Sequence, residues 1–348
     1  MNPHITTILL SSLGLGTTLT FMSSHWLLAW MGLEINTLAI LPLMAQYHHP
    51  RAVEATTKYF LAQATAAATI LFASTINAWM TGEWNICCLT HPVAATLTIM
   101  ALALKIGLAP MHFWMPPVMQ GLDLPTGLIM ATWQKLAPLA LIVQMAPSVS
   151  PQLITALGLM SIFIGGWGGL NQTQLRKILA YSSIAHLGWM IIIMQFKPPL
   201  TILTLITYIL MTSAIFLTFK SMATTKINTL ATSWPKAPTL AILAALALLS
   251  LGGLPPFTGF MPKWLILQEL ATQQLPLTAT IAALSALLSL YFYLRLCYSM
   301  ALTISPNTNN ASTPWRLQNT QNTLPLATFT ALTLLLLPLT PLAQALVN

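Results

Sequence analysis

Residues 102–117 read LALKIGLAPMHFWMPP and residues 250–265 read SLGGLPPFTGFMPKWL. Both stretches are apolar, both are punctuated by glycine and proline, and each carries one lysine, Lys105 or Lys263. Proline removes a helix hydrogen bond and clashes with the preceding turn. Each stretch therefore reads as a broken helix, the first at Gly107, Pro110, Pro116 and Pro117, the second at Gly252, Gly253, Pro255, Pro256, Gly259 and Pro262. Broken backbone at membrane depth survives only where protein buries it or where it lines a wet cavity.

Membrane depth follows from the rest of the chain. Its 348 residues are 56% hydrophobic and only 5% charged, against about 25% charged in a water-soluble domain. A bilayer core takes about 20 apolar residues per helix. Such segments recur at roughly 3–22, 25–45, 56–80, 92–118, 124–145, 150–170, 176–196, 199–219, 239–271, 275–299 and 324–345. The expected fold is an all-α integral membrane protein of about eleven transmembrane helices. Almost every residue is used by these segments, which excludes a soluble domain large enough for a nucleotide or flavin. The three cysteines, Cys87, Cys88 and Cys297, show no C-x-x-C spacing and cannot fill a four-cysteine cluster site. Cys87 and Cys88 read as inert residues near a helix end. The start, MNPHITTILL, has neither a basic n-region nor a cleavage site, so it reads as a first helix rather than a signal peptide.

The charges test the helix count. With eleven spans, the side of the N-terminus carries Arg51, Lys58, Arg176, Lys177, Lys220, Lys226, Lys236, Arg295 and Arg316. The other side carries only Lys197, and Lys105, Lys135 and Lys263 lie inside segments. This asymmetry is what the positive-inside rule asks of a correct topology, and it places the N-terminus on the cytoplasmic or matrix side. The net charge of +8 reflects that asymmetry, not nucleic-acid binding. The two broken segments lie five helices apart. Five is odd, so the second set of five runs inverted, with expected boundaries 1–147, 148–303, and a loop and C-terminal helix over 304–348. Paired interrupted segments in inverted halves point to a transport site; two unrelated kinks are the alternative.

Four ionisable residues then stand out. Glu34 lies about ten residues from either end of its segment, Lys135 is similarly central in its own, and Lys105 lies in the middle of the first broken segment. A charge at the bilayer centre costs at least about 2.5–3.5 kcal/mol, and a lysine stem is too short to reach the surface from there. A structural ion pair is one reading, but one acid cannot neutralise three lysines. The surplus lysines need hydration or must surrender the proton, since burial disfavours the ammonium. Lys263 follows the second break directly. His112 lies seven residues after Lys105, two helical turns along the same face, and His186 lies mid-span in ILAYSSIAHLGWMIII. Each histidine is either satisfied by a neighbouring hydroxyl or a candidate proton relay. His4, His25, His48, His49 and His91 sit near segment ends and read as interfacial. The run GGWGG at 165–169 lies inside an apolar span with no strand before it, so it reads as a helix-packing surface, not a nucleotide loop.

The stretches HHPRAVEATTKYFLAQA (48–64), LKIGLAPMHFWMP (104–116), NQTQLRKILAYSSIAHLGWM (171–190) and LGGLPPFTGFMPKWLILQEL (251–270) resemble the chain 2 family of antiporter-like subunits in NADH–ubiquinone oxidoreductase, respiratory complex I, of the vertebrate mitochondrial type. The resemblance runs over essentially the whole chain. It implies the antiporter-like fold, which has fourteen helices in bacterial members and lacks the first three in vertebrates, with the N-terminus on the matrix side and the C-terminus on the intermembrane-space side. It implies a multi-pass protein of the mitochondrial inner membrane that translocates protons and contributes to assembly of the membrane arm. Position by position it implies proton-translocation roles for Glu34, Lys105, Lys135 and Lys263, with His112 and His186 in the polar axis between them. No cofactor or metal is expected on this chain; NADH, FMN, iron–sulfur clusters and ubiquinone belong to the rest of the complex. The implied partners are other membrane subunits, especially chains 4L and 4 and the lateral helix of chain 5, with accessory subunits and phospholipid such as cardiolipin; no nucleic acid is implied. Two rivals remain: an independent sodium or potassium antiporter, which would be expected to show more acids than Glu34, and a scaffold that joins pumping neighbours.

Overall fold

The computed structural model describes residues 2–46, 48–234, 237–302 and 323–347. Lys236 and Arg316, two of the cations used in the charge count, and residues 304–322 of the expected C-terminal loop lie outside the described residues. Among the described residues every extended element is a helix, and the only strand-like pairings are two isolated bridges.

Among the described residues eight spans are long and apolar enough to cross a membrane. Six are single helices: α1 (Pro3–Met22), α2 (Trp26–Met44), α3 (Pro50–Thr81), α8 (Pro151–Gly169), α9 (Leu175–Met194) and α10 (Pro198–Ser221). The seventh is α14 (Pro276–Ala301). The eighth, Leu124–Ser148, joins α6 (Leu124–Ala131) to α7 (Trp133–Met145) through a tightened turn, where the Lys135 N–H donates to the Thr132 carbonyl at 3.3 Å. The three other expected segments hold shorter apolar helices. Residues 92–118 give α4 (Pro92–Ile106), an irregular turn, and then α5 (Met115–Gly121). Residues 239–271 give α12 (Pro238–Gly252) and α13 (Phe260–Thr272), and 324–345 give α15 (Leu324–Leu335) and α16 (Thr340–Val347). A five-residue helix, α11 (Ile227–Ala231), precedes α12.

Glycine ends both broken helices in the same way. Gly107 (φ 83, ψ 42) and Gly253 (φ 76, ψ 36) take the left-handed conformation that ends a helix and that only glycine adopts without penalty. Ala109–Pro110 and Pro255–Pro256 are cis.

The chain divides into two compact units, Met1–Ser161 and Ile162–Asn348, with the division inside α8. In the first unit α1 and α2 pack closely because glycines face each other: a Cβ on Gly32 would lie 2.9 Å from the Gly16 carbonyl. α3 packs on α2, α4 and α5, and α7 packs on α4 and α1. His25 and His49 sit at helix N-caps, where Nδ1 of each accepts a backbone N–H at 3.2 Å. In the second unit α10 is central and touches α9, α12, α13, α15 and α16. The GGWGG glycines are packing positions: a Cβ on Gly165 would lie 2.6 Å from the Ala185 nitrogen, and one on Gly169 2.8 Å from the Phe292 ring. Threonines and serines survive in apolar spans because their hydroxyls bond carbonyls of their own helix, as Thr20 does to Thr17 at 2.7 Å. Bulky apolar side chains such as Ile8, Leu15, Phe72 and Leu284 remain exposed on the outside, as a lipid-facing surface requires.

Candidate functional site

In the first unit, two helices bring two of the predicted residues, Lys105 and Lys135, to one cavity. Lys105 occupies the last turn of α4 and is 5% exposed; Lys135 occupies the first turn of α7 and is 2% exposed. Both line the same internal cavity, of about 10 Å³, together with Asn36, Tyr59, Gln63 and Gln134. That volume holds about one water molecule. Its lining mixes these polar groups with apolar ones such as Ile106 and Met130. Lys105 Nζ and Asn36 Oδ1 are both buried, and neither finds a hydrogen-bond partner among the described residues.

Glu34 lies on α2, half-buried, with its carboxylate accepting the Thr37 hydroxyl at 3.0 Å. It makes no direct ion pair with Lys105. It stands between Leu33 and the cavity-lining Asn36 and Thr37, on the helix that faces the lysines. Neighbours occupy the carbonyls around Lys105, because the last turn of a helix lacks its full set of backbone donors, and of these Leu104 keeps only the Gly107 N–H at 3.2 Å. Gln63 donates to the Lys105 carbonyl at 3.2 Å, and the Trp114 indole donates to the Leu104 carbonyl at 2.9 Å. Ser161 Oγ accepts the Ala109 N–H at 3.1 Å inside the turn. The lysine stem is thus free of backbone duties and its ammonium faces the cavity.

The structure corrects the placement of His112. The helical register that would carry it to the Lys105 face is cut at Gly107, so His112 lies in the irregular turn. It is buried there against Phe113, with ring centroids 4.5 Å apart, hydrogen-bonds the Pro110 backbone, and does not line the cavity.

In the second unit Lys263 lies in the first turn of α13, half-buried, and donates from Nζ to the Gly252 carbonyl at 2.7 Å. That carbonyl is at the C-terminal end of α12, where the helix dipole is negative. Gly253 gives the stem room: a Cβ there would sit 2.8 Å from both Cδ and Nζ of Lys263. His186 lies half-buried on α9 with its ring 5.5 Å from that of Tyr208 on α10. Hydroxyls continue this polar strip on α9, where Ser182 donates to the Leu179 carbonyl at 2.8 Å and Ser183 to the Ala180 carbonyl at 2.6 Å.

The cavity residues Asn36, Tyr59, Gln63 and Gln134 were not singled out by the charge-based reading. Their signal is present in the sequence, since each is a polar side chain inside an apolar span. Among the described residues no group of three or more His, Cys, Asp or Glu side chains could hold a metal ion.

Comparison with known proteins places the chain in a family. The family described as NADH:quinone oxidoreductase/Mrp antiporter, TM matches residues 23–289, and the NADH dehydrogenase subunit 2 C-terminus matches 290–344. NADH-ubiquinone oxidoreductase chain 2 of Carassius auratus is 73% identical over 98% of both chains, and that of Salmo salar is 70% identical over 100% of both. A chain of respiratory complex I from Thermus thermophilus with bound aureothin superposes with a TM-score of 0.83 at 28% identity, covering 97% of this chain and 80% of that one. A chain of the Mrp complex from Dietzia sp. shares the fold, with a TM-score of 0.79 at 16% identity over 97% of this chain and 75% of that one.

Proposed function

Since the chain belongs to the NADH-ubiquinone oxidoreductase chain 2 family, we propose that it is a proton-translocating membrane subunit of NADH–ubiquinone oxidoreductase in the mitochondrial inner membrane. The observation that carries this reading is the shared cavity. Two lysines from different helices, Lys105 and Lys135, line one buried polar space with room for about one water, and Glu34 is the acid whose charge reaches it.

The arrangement suits proton transfer. A buried lysine exchanges its proton with a cavity water when the charge beside it changes. Glu34 supplies the charge that holds the Lys105 ammonium; a shift of α2 against α4 weakens that hold and changes the field at Lys135. Moving one charge against the membrane potential takes about 2.3 kcal/mol per 100 mV, and a tenfold change in proton affinity is worth about 1.4 kcal/mol. A few such steps match the task. In the second unit His186 and Lys263 carry the corresponding transfer. The segments 1–147 and 148–303 act as inverted five-helix repeats within eleven spans, the N-terminus on the matrix side and the C-terminus in the intermembrane space.

Its partners are the other subunits of the complex. Those adjoining it in the membrane arm are chains 4L and 4 and the lateral helix of chain 5, with accessory subunits and cardiolipin around them. NADH, FMN, the iron–sulfur clusters and ubiquinone are handled by other subunits, which deliver energy here as conformational or electrostatic change.

The test is Lys135→Met in the assembled complex, reconstituted in vesicles, with protons pumped per NADH oxidised as the readout. A sharp fall with normal assembly supports the channel. Wild-type pumping would make Lys135 dispensable and turn the reading toward a scaffold.

A further inference from the structure

Helix α15 ends inside an apolar segment because Pro338 cannot continue it. A helix end leaves its last carbonyls without helical partners, and at membrane depth no bulk water replaces them. The Thr333 carbonyl is one of these. Two hydroxyls from the second break take it: Thr258 Oγ1 donates at 2.6 Å and Ser250 Oγ at 3.1 Å. The two hydroxyls are themselves 3.3 Å apart, and Ser250, Thr258 and Thr333 are all buried.

These contacts fall on the two edges of the Lys263 site. Ser250 lies in the last turn of α12, two residues before Gly252, whose carbonyl accepts Lys263 Nζ. Thr258 lies two residues before α13, which carries Lys263 in its first turn. The lysine–carbonyl bond and the hydroxyl pair are therefore two parallel links across one break, and Thr333 holds the second link from outside. The loop is already closed tightly, since a Cβ on Gly259 would overlap the Ser250 carbonyl oxygen.

We infer that α15 clamps the second break through Thr333, and that Ser250 and Thr258 are positioning residues that keep the Gly252 carbonyl in reach of Lys263. The inference rests on the proton-transfer role proposed for Lys263. Lys263 must leave the Gly252 carbonyl to pass its proton on, and must return afterwards. With the clamp intact, α12 and α13 keep their spacing while the lysine is away. Without it, each hydroxyl turns to a carbonyl of its own segment, as serines and threonines do elsewhere in the chain, and the break relaxes.

The experiment uses the assembled complex in vesicles carrying Thr258→Val, Thr258→Ser, Ser250→Ala or Lys263→Met, with two readouts: protons pumped per NADH, and the pH profile of coupled turnover. Thr258→Val is expected to lower pumping about three- to tenfold, the loss of one buried hydrogen bond, and to shift the pH profile. Thr258→Ser keeps wild-type behaviour, and Ser250→Ala falls between. In a Lys263→Met background, Thr258→Val adds no further loss, because the clamp acts through that lysine. Wild-type pumping and an unmoved pH profile in Thr258→Val, beside an impaired Lys263→Met, overturn the clamp. So does full additivity of the two variants. Normal pumping in Lys263→Met overturns the premise instead, and so identifies itself. If Thr258→Val does not assemble, Pro338→Ala decides. It lets α15 run on, so that the Leu337 N–H competes for the Thr333 carbonyl, and pumping is expected to fall about two- to threefold; no change in pumping overturns the clamp.

Discussion

The two broken segments are built from the same parts and hold their lysines in opposite ways. In each, a helix ends at a left-handed glycine, Gly107 or Gly253, and a short proline-containing turn leads to a second helix. In the first, neutral donors cap the exposed backbone: Gln63 and Trp114 on carbonyls, with Ser161 receiving the Ala109 N–H. Lys105 is left to face a small polar cavity and the field of Glu34. In the second, the lysine is itself the cap, bonded to the Gly252 carbonyl at 2.7 Å. A glycine–proline break thus supplies unpaired carbonyls, and whether a lysine or a neutral group takes them decides how that lysine is held. Lys105 is poised beside a water-sized space, while Lys263 must break a bond before it can move.

Arginine substitution gives the largest expected contrast. Arginine keeps its charge at any physiological pH and cannot release a proton. Lys263→Arg can still cap the Gly252 carbonyl, so the complex is expected to assemble at normal level. Its pumping is expected to fall by about a hundredfold or more, the scale of losing a positioned acid–base group. Lys105→Arg meets a cavity of about 10 Å³ that has no room for a guanidinium, so assembly itself is expected to fail. Native-gel quantification beside vesicle pumping separates the two. Equal assembly of both variants breaks the comparison.

Glu34→Gln comes next and should touch only the first lysine. It keeps the shape and the acceptor for the Thr37 hydroxyl but removes the through-space charge on Lys105. The lost interaction is about 1–2 kcal/mol at the effective dielectric of a protein interior, so pumping should drop about tenfold. Combined with Thr258→Val, the two losses should multiply, since they act on different lysines. Measured pumping of the double variant at the level of either single variant would show one shared site instead of two.

The glycines form a matched pair with a smaller effect. Alanine at Gly107 or Gly253 pays about 1 kcal/mol or more for a left-handed backbone. At Gly107 the new methyl meets the flexible Met115 sulfur at 3.2 Å; at Gly253 it meets the Lys263 stem at 2.8 Å and pushes the ammonium off its carbonyl. Both variants should lose heat stability alike, while only Gly253→Ala should also lose pumping, by several-fold. Thermal inactivation of the complex, read beside pumping, distinguishes strain from displacement.

Much of this was legible in the sequence. Composition alone places the chain in a membrane, and Gly107, Gly253 and the prolines mark both breaks, because glycine and proline act on the backbone directly. The ionisable residues Glu34, Lys105, Lys135 and Lys263 were visible because charge at membrane depth is costly wherever it falls. What periodicity could not supply was position after a break. His112 was projected along a helix that Gly107 terminates, and the projection failed for that reason. The amides of the cavity and the clamp on Thr333 were not anticipated, since they depend on which helices meet, and neutral polar residues in apolar spans usually bond their own helix.

The smallest expected effect separates backbone capping from proton chemistry. Trp114→Phe keeps most of the ring packing against Tyr59, whose centroid lies 5.7 Å away, but removes the indole N–H from the Leu104 carbonyl. The Leu104 carbonyl then keeps only the Gly107 N–H at 3.2 Å, and the lost hydrogen bond is worth about 1 kcal/mol. Because Trp114 caps the turn in place of the lysine, that loss should appear as earlier thermal inactivation, with pumping per NADH changed by less than about twofold. At the second break the same backbone duty belongs to Lys263, so no substitution there can remove the cap and leave the proton carrier untouched. A strong pumping defect in Trp114→Phe would mean that Lys105 takes the indole's place on that carbonyl as Lys263 takes Gly252, and that the first break can be driven into the state of the second by losing one hydrogen bond.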